Sequence, residues 1–386
     1  MYALLIYADH AATTEVSERA LAAAMPFFRT YYGNASSRYA LGRQARQAVE
    51  DVRQDIAEIL GASKEEIVFT SGGSEGNNAV LRGIVARARL EGVRAPHIVV
   101  SAIEHPSILA TCQALEAEGV CVTYVPASAE GRIAPADVQA ALRQDTRLVS
   151  IMLANNEVGT VQDVAGIAAV LEGRGVPFHT DAVQAVGHIP IDIRKLGVTY
   201  LTASGHKFHA MKGTGFLYQK YGAELFPLVT GGGQEGGSRA GTENTAGIAA
   251  LGEALRESAE HCKEEDVRLR CLCKRTAKEV LSRVDGVRIN GSGGAHLPGT
   301  LNFGIRGVRG EALVHLLDLK GICVSSASAC SAGRDVPSHV LLAMGQNENE
   351  AMETLRISYG CQNTEADAQK IADTIVWAVD KIRQVK

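Results

Sequence analysis

Five short apolar runs in this chain end the same way, in a polar or glycine-rich turn. Ile67–Thr70 leads into Ser71-Gly72-Gly73-Ser74, and Ile98–Ser101 leads to Glu104-His105. Leu148–Leu153 ends at Asn155-Asn156, Val176–His179 at Asp181, and Tyr200–Ala203 at Ser204-Gly205-His206-Lys207. The runs are short and rich in β-branched residues, which reads as strands, and helical patterns lie between them. Such alternation predicts an α/β domain with a mainly parallel sheet. Ligands bind outside the carboxyl ends of strands in open α/β sheets. One polar residue at a strand end is ordinarily a turn former or a cap. Five consecutive strands ending this way point to a ligand site.

The remaining pattern adds a second unit. Val49, Val52, Ile56 and Ile59 recur at helical spacing within Leu41–Leu60, and Gly61 stops that helix. A long helical pattern runs from about Thr245 to Val284. Beyond it lie short strands (LNFGI, ICVSS, TLRISYG) and helices, α+β in character. The domain boundary is expected within the long helix. That gives a large domain over 15–258 and a small one from 1–14 and 259–386. At 386 residues and 46% hydrophobic composition, both have ample material for a core.

Charge and hydropathy narrow the partners. A net charge of −4 leaves no nucleic-acid footprint. No apolar run approaches the ~18 residues of a membrane span. The opening MYALLIYADH lacks the basic n-region and long h-region of a signal peptide, so the cytoplasm is the simplest location. Eight cysteines occur at irregular spacings without a CxxC pair, unlike a secreted disulfide framework. Cys271 and Cys273 lie near His261 and Cys262, but residues two apart on a helix face different sides, and no metal is expected there.

Each strand end suits a chemical task. Small residues at Gly72–Ser74, ahead of a helix starting near Glu75, let backbone N–H groups and the helix N-terminus meet an anion. No GK[ST] follows, so this is not a Walker A loop. Asp181 can pair with a protonated ring nitrogen. Lys207 can form a Schiff base if its surroundings lower its pKa. His105 can lie over an aromatic ring or move protons. An aspartate, a lysine and a phosphate turn at strand ends together describe a pyridoxal-phosphate site. Ser325–Gly333 adds a run of small residues around Cys330, a candidate nucleophile on a loop without bulky apolar neighbours. Arg356 can grip a carboxylate with its two-pronged guanidinium, although taken alone an ordinary surface or interdomain ion pair is the favoured reading. A rival of another class exists. Gly72-Gly73-Ser74-Glu75-Gly76 matches GxSxG, and Asp181 and His206 follow in the order Ser, Asp, His. That hydrolase reading leaves Lys207 and Cys330 without a task.

At these residues the sequence resembles the cysteine desulfurases, class V aminotransferase-type enzymes of pyridoxal-phosphate fold type I. The matching stretches run nearly end to end: YADHAATT, YYGNASSRYALGRQA, EIVFTSGGSEGNN, EHPSIL, VSIMLANNEVGTVQD, FHTDAVQAVG, SGHKFHAMKGTGFLY, GGGQEGGSRAGTEN, SSASACSAG and LRISYG. The SSxSACS form is similar to the NifS/IscS-like branch. The resemblance implies a large domain with a mainly parallel seven-stranded sheet and a smaller α+β domain. It implies pyridoxal 5'-phosphate as cofactor and L-cysteine as substrate. Lys207 then corresponds to the Schiff-base lysine and His105 to the residue stacked on the pyridine ring. Asp181 corresponds to the partner of the ring nitrogen, Gln184 to that of the ring oxygen, and Asn156 to a residue near both the substrate and that edge. Gly73 belongs to the phosphate turn. Ser74, Ser204 and His206 correspond to phosphate ligands, and Thr242 to one lent by a second subunit, which implies a homodimer. Arg356 and Asn34 correspond to the grip on the substrate carboxylate. Cys330 corresponds to the nucleophile that becomes a persulfide, aided by proton transfer at His105, and hands sulfur to an acceptor such as an iron–sulfur scaffold or a tRNA-thiolation relay.

Three positions depart from the family pattern. Ser74 stands where threonine is common, Ala327 where glycine is usual, and Ala240 where serine is common. An aminotransferase or a selenocysteine lyase would use the same cofactor site. The aminotransferase would have no need of Cys330.

Overall fold

The computed structural model describes residues 5–291, 293–326 and 336–384. Its centre is a seven-stranded sheet in the order Ile67–Thr70, Gly215–Gln219, Tyr200–Ser204, Phe178–Asp181, Thr146–Ser150, His97–Ser101, Cys121–Val125. Gly215–Gln219 runs against both its neighbours. The other pairs are parallel. The chain steps outward from His97–Ser101 to Cys121–Val125, then crosses back to Thr146–Ser150 and continues the other way. The reversal opens a crevice at the carboxyl ends of the central strands.

Local chemistry sets the element ends. The helix Ala40–Leu60 closes on Gly61, whose φ of 72° is the left-handed cap that glycine adopts without a Cβ penalty. The helix Gly73–Leu90 starts one residue after Gly72, which has φ 143°. A Cβ on Gly73 would stand 2.6 Å from Val183 Cγ2. Glycine therefore lets the helix N-terminus approach the end of the strand Phe178–Asp181. The helix Pro106–Ala117 is capped by the ring of His105, with proline in its first turn.

Boundaries differ from the sequence reading in instructive ways. Leu148–Leu153 was expected as one strand, yet the ladder ends at Ser150. The N–H groups of Ile151 and Leu153 still donate to the carbonyls of His179 and Asp181, so the backbone stays bonded past the ladder. The strand ending at Asp181 begins at Phe178 because Pro177 has no N–H to give.

The 39-residue helix Thr245–Arg283 links two apolar clusters. Ala246, Ile248, Ala250, Leu251, Ala254 and Leu255 pack with the large sheet. Leu269, Leu272 and Val280 pack with Phe303, Leu355, Ile357, Ile371 and Ile375 in a second cluster. That cluster covers an antiparallel sheet of Thr354–Ser358, Thr300–Ile305 and Val287–Asn290. A parallel pair, Ile6–Tyr7 with Ile322–Cys323, brings the N-terminal segment to the same side. No helix among the described residues is long and apolar enough to cross a membrane.

Candidate active site

A cavity of about 550 Å³ lies at the crevice. The phosphate turn Ser71–Ser74 forms one wall, and His105, Asn156, Asp181, Gln184, Ser204, His206 and Lys207 form the others, with Arg356 at one side. Ten of the sequence-selected residues, Gly73, Ser74, His105, Asn156, Asp181, Gln184, Ser204, His206, Lys207 and Arg356, thus meet in one space. Three do not. Asn34 is exposed, and its Oδ1 accepts the Ser36 N–H at 2.8 Å. Thr242 is exposed on the loop before the long helix and does not line this cavity. Cys330 lies outside the described residues. The described residues before and after that stretch are tied beside the cavity. Ser325 pairs through its backbone with Arg356, and Ser338 Oγ donates to Glu157, the residue after Asn156.

Sequence reading missed the N-terminal contribution. Ala11, Ala12 and Thr13 line the cavity. Lys207 Nζ donates to the carbonyls of Ala11 and Ala12 at 2.7 Å each, and Gln184 Nε2 donates to Ala11 O at 3.0 Å. His206 Nδ1 stands 3.1 Å from Thr13 Oγ1. Burial, with Lys207 and Lys212 nearby, pushes the His206 pKa down to about 4, so its ring is neutral near pH 7. No spacing rule joins residues nearly two hundred positions apart. Asn77 and Ser107 were also missed, although a signal existed. Asn77 follows Ser74 by three positions and so faces the same side of its helix.

Asp181 is 4% exposed. Its Oδ1 accepts the Val183 N–H at 3.0 Å and its Oδ2 accepts Asn77 Nδ2 at 2.7 Å. Arg356 is 2% exposed. Its Nη2 donates to Asp9 Oδ1 at 2.8 Å and its Nη1 to Asn156 O at 3.0 Å. Its Nε is buried without a partner among the described residues. The GxSxG triad is not assembled, because His206 bonds Thr13 and Asp181 bonds Asn77. Cys271 is exposed, whereas burial pushes the Cys273 thiol up to about 12, so the two do face different sides.

These groups fit pyridoxal phosphate. Glycines 72 and 73 leave space for a phosphate at a helix N-terminus, with the hydroxyls of Ser74 and Ser204 beside it. A buried carboxylate faces the floor, and an amine stands at the end of the neighbouring strand.

Two buried carboxyls flank the site without lining it. Glu104 accepts from Ser101 Oγ and from the Met152 N–H, and its Oε2 has no partner among the described residues. Burial raises its pKa to about 8, helped by Asp181, and burial raises that of Glu157 to about 7. Folded-state values above the unfolded ones mean that these groups stabilise when protonated. That contribution is complete below the ordinary carboxyl range and is lost as pH rises through 7 to 8. The thermal midpoint is therefore expected to fall between about pH 5 and pH 8. Glu104→Gln should flatten the fall. A variant whose midpoint drops as steeply as the parent's would count against a protonated Glu104.

The profile of the Aminotransferase class-V family matches residues 6–371. A cysteine desulfurase IscS of Dictyoglomus turgidum is 40% identical over 380 residues, covering 98% of this chain and 96% of the relative. A cysteine desulfurase IscS of Methanosarcina thermophila is 39% identical over 380 residues, 98% of this chain and 93% of the relative. A solved NifS-like protein superposes with a TM-score of 0.91 at 34% identity, over 98% of this chain and 100% of the other. The chain belongs to the class-V aminotransferase family, as a pyridoxal-phosphate-dependent cysteine desulfurase.

Proposed function

We propose that the cavity residues divide the desulfuration of L-cysteine among themselves as follows. Lys207 holds the cofactor through its amine, and Asp181 pairs with the ring nitrogen. His105 covers the ring face, and Gln184 and Asn156 meet the ring's oxygen edge. The Gly73 N–H, Ser74, Ser204 and His206 bind the phosphate. The bound cofactor supplies the carbonyl that captures the substrate amine and the electron sink that acidifies its Cα–H. Arg356 binds the substrate carboxylate, and its Nε, buried without a partner among the described residues, supports that reading. Asn34 is retained as a second carboxylate contact, supplied from outside the cavity described above. Lys207 takes the Cα proton. Cys330 attacks the substrate sulfur as thiolate, retains it as a persulfide, and alanine leaves. The observation that carries this reading is the meeting of Lys207, Asp181, His105 and Arg356 in one cavity.

Thr242 would complete the phosphate site of a second copy in a homodimer. Its exposure away from its own cavity supports this, as do the exposed side chains of Phe28, Tyr31, Tyr32, Tyr39 and Phe226. The large domain would span 15–258 and the small one 1–14 with 259–386, and the persulfide would pass to an acceptor protein such as an iron–sulfur scaffold. The test is an absorption spectrum before and after adding L-cysteine, with alanine and sulfide assayed in the same tube. A visible band that shifts as both products form is expected. A protein that stays colourless and inert with pyridoxal phosphate supplied would overturn the reading.

A further inference from the structure

Glu157 follows Asn156 in the chain but does not line the cavity. Its backbone is held on both sides. The N–H donates to Asn155 Oδ1 at 2.9 Å, and the carbonyl accepts Asn302 Nδ2 at 3.1 Å. Asn302 in turn sits opposite Arg356 in the small antiparallel sheet. The side chain serves another element. Its carboxyl accepts the Ser338 hydroxyl, and both residues are buried. Ser338 Oγ also accepts the Leu341 N–H, and so caps the helix His339–Ala343. Packing alone would not call for a carboxyl here, since an apolar side chain fills buried space without the cost of desolvating one. The next residue makes a second tie. His339 Nε2 stands 2.9 Å from the carbonyl oxygen of Glu104, the residue before His105. A carbonyl oxygen only accepts, so Nε2 is the donor. On the other flank of the Cys330 stretch, Ser325 exchanges both backbone bonds with Arg356. The two flanks are thus fixed against segments that carry Arg356, Asn156 and His105.

We propose that Glu157 and His339 are positioning residues for the sulfur-transfer step alone: they anchor the carboxyl-terminal flank of the Cys330 stretch, and so place Cys330 for attack on the substrate sulfur, with no part in substrate binding or in removal of the Cα proton. In that step a bond forms between the Cys330 sulfur and the substrate sulfur as the substrate's C–S bond breaks. The electron pair of the broken bond stays with the carbon, which takes up the proton that the Cys330 thiol gave up, and alanine results. The backbone bonds of Glu157 hold Asn156 without help from the carboxyl, so the two tasks are separable. The inference rests on the role of Cys330 given above.

The test follows the holoenzyme by two readouts, the cysteine-dependent shift of its visible band and the release of alanine. Glu157→Ala should leave the cysteine concentration that half-saturates the band shift within about twofold of the parent's. It should lower kcat for alanine at least about tenfold, since a slightly misplaced reacting group loses that much. Glu157→Gln, whose amide oxygen still accepts the Ser338 hydroxyl, should stay within about threefold of the parent in both. His339→Leu and His339→Gln should repeat the contrast, because glutamine can donate to the Glu104 carbonyl and leucine cannot. That second pair decides the matter should Glu157→Ala fail to fold. Cys330→Ala is the reference. Its band should shift without alanine release, and adding Glu157→Ala to it should change nothing further. Alanine released at the parent rate by Cys330→Ala would remove the Cys330 role itself. With that reference intact, a changed half-saturating concentration in Glu157→Ala, equal loss in Glu157→Ala and Glu157→Gln, or an unchanged kcat would each overturn the proposal.

Discussion

Replacing Lys207 with alanine is expected to lower alanine formation from cysteine by about 10²- to 10⁴-fold, the range that a positioned proton-transfer group contributes. Lys207 ends the short turn Gly205–Lys207 after a fully buried strand, and its amine reaches across to the Ala11 and Ala12 carbonyls. The variant removes both the attachment and the Cα base in one change. Borohydride reduction followed by mass measurement should find the cofactor adduct in the parent and not in Lys207→Ala. A small added amine should restore part of the turnover, because it replaces the missing base but not its geometry. The same change removes a positive charge that lowers the pKa of His206. That value should therefore rise, which gives a readout independent of activity. Turnover within about tenfold of the parent would sink the assignment.

The sheet and most of the site are legible in the sequence for one reason. A buried parallel strand must be apolar, so a polar residue just past its end is exposed to view in the pattern. Asp181, Lys207 and the Gly72–Ser74 turn were read that way. Cys121–Val125 escaped because it is an edge strand with only Val125 fully buried, which blurs its periodicity. Gly215–Gln219 escaped because it opposes its neighbours and follows a glycine turn instead of a helix. Contacts between distant segments escaped altogether. Nothing local in YADHAATT announces that Ala11 and Ala12 hold Lys207, or that Asp9 pairs with Arg356 across 347 positions. Asn77 and Ser107 lie between these cases. Each is within one helical turn of a residue that the sequence reading selected, yet Asn77 meets Ser107 and Asp181 only once the chain has folded.

Arg356→Lys should raise KM for cysteine about 10- to 100-fold while leaving kcat much less affected, since charge-assisted hydrogen bonds contribute about 1.5–3 kcal/mol. The reasoning starts from the guanidinium's occupancy. Asp9 takes one Nη and the Asn156 carbonyl the other, leaving a buried Nε and the cavity-facing edge for an incoming carboxylate. Lysine keeps the charge that Asp9 needs but cannot serve three directions with a fixed planar fork. A carboxylate held equally in the ground and transition states appears in KM and not in kcat. Asp9→Asn separates binding from positioning. It keeps the fork intact and loosens its anchor, so a smaller rise in KM is expected, about threefold to tenfold. The backbone of Arg356 also pairs with Ser325, ahead of the stretch that carries Cys330. A misplaced strand would therefore lower kcat in both variants. An unchanged KM with a fallen kcat would make Arg356 a strut for Asn156 and Ser325, and would leave the substrate carboxylate to another donor.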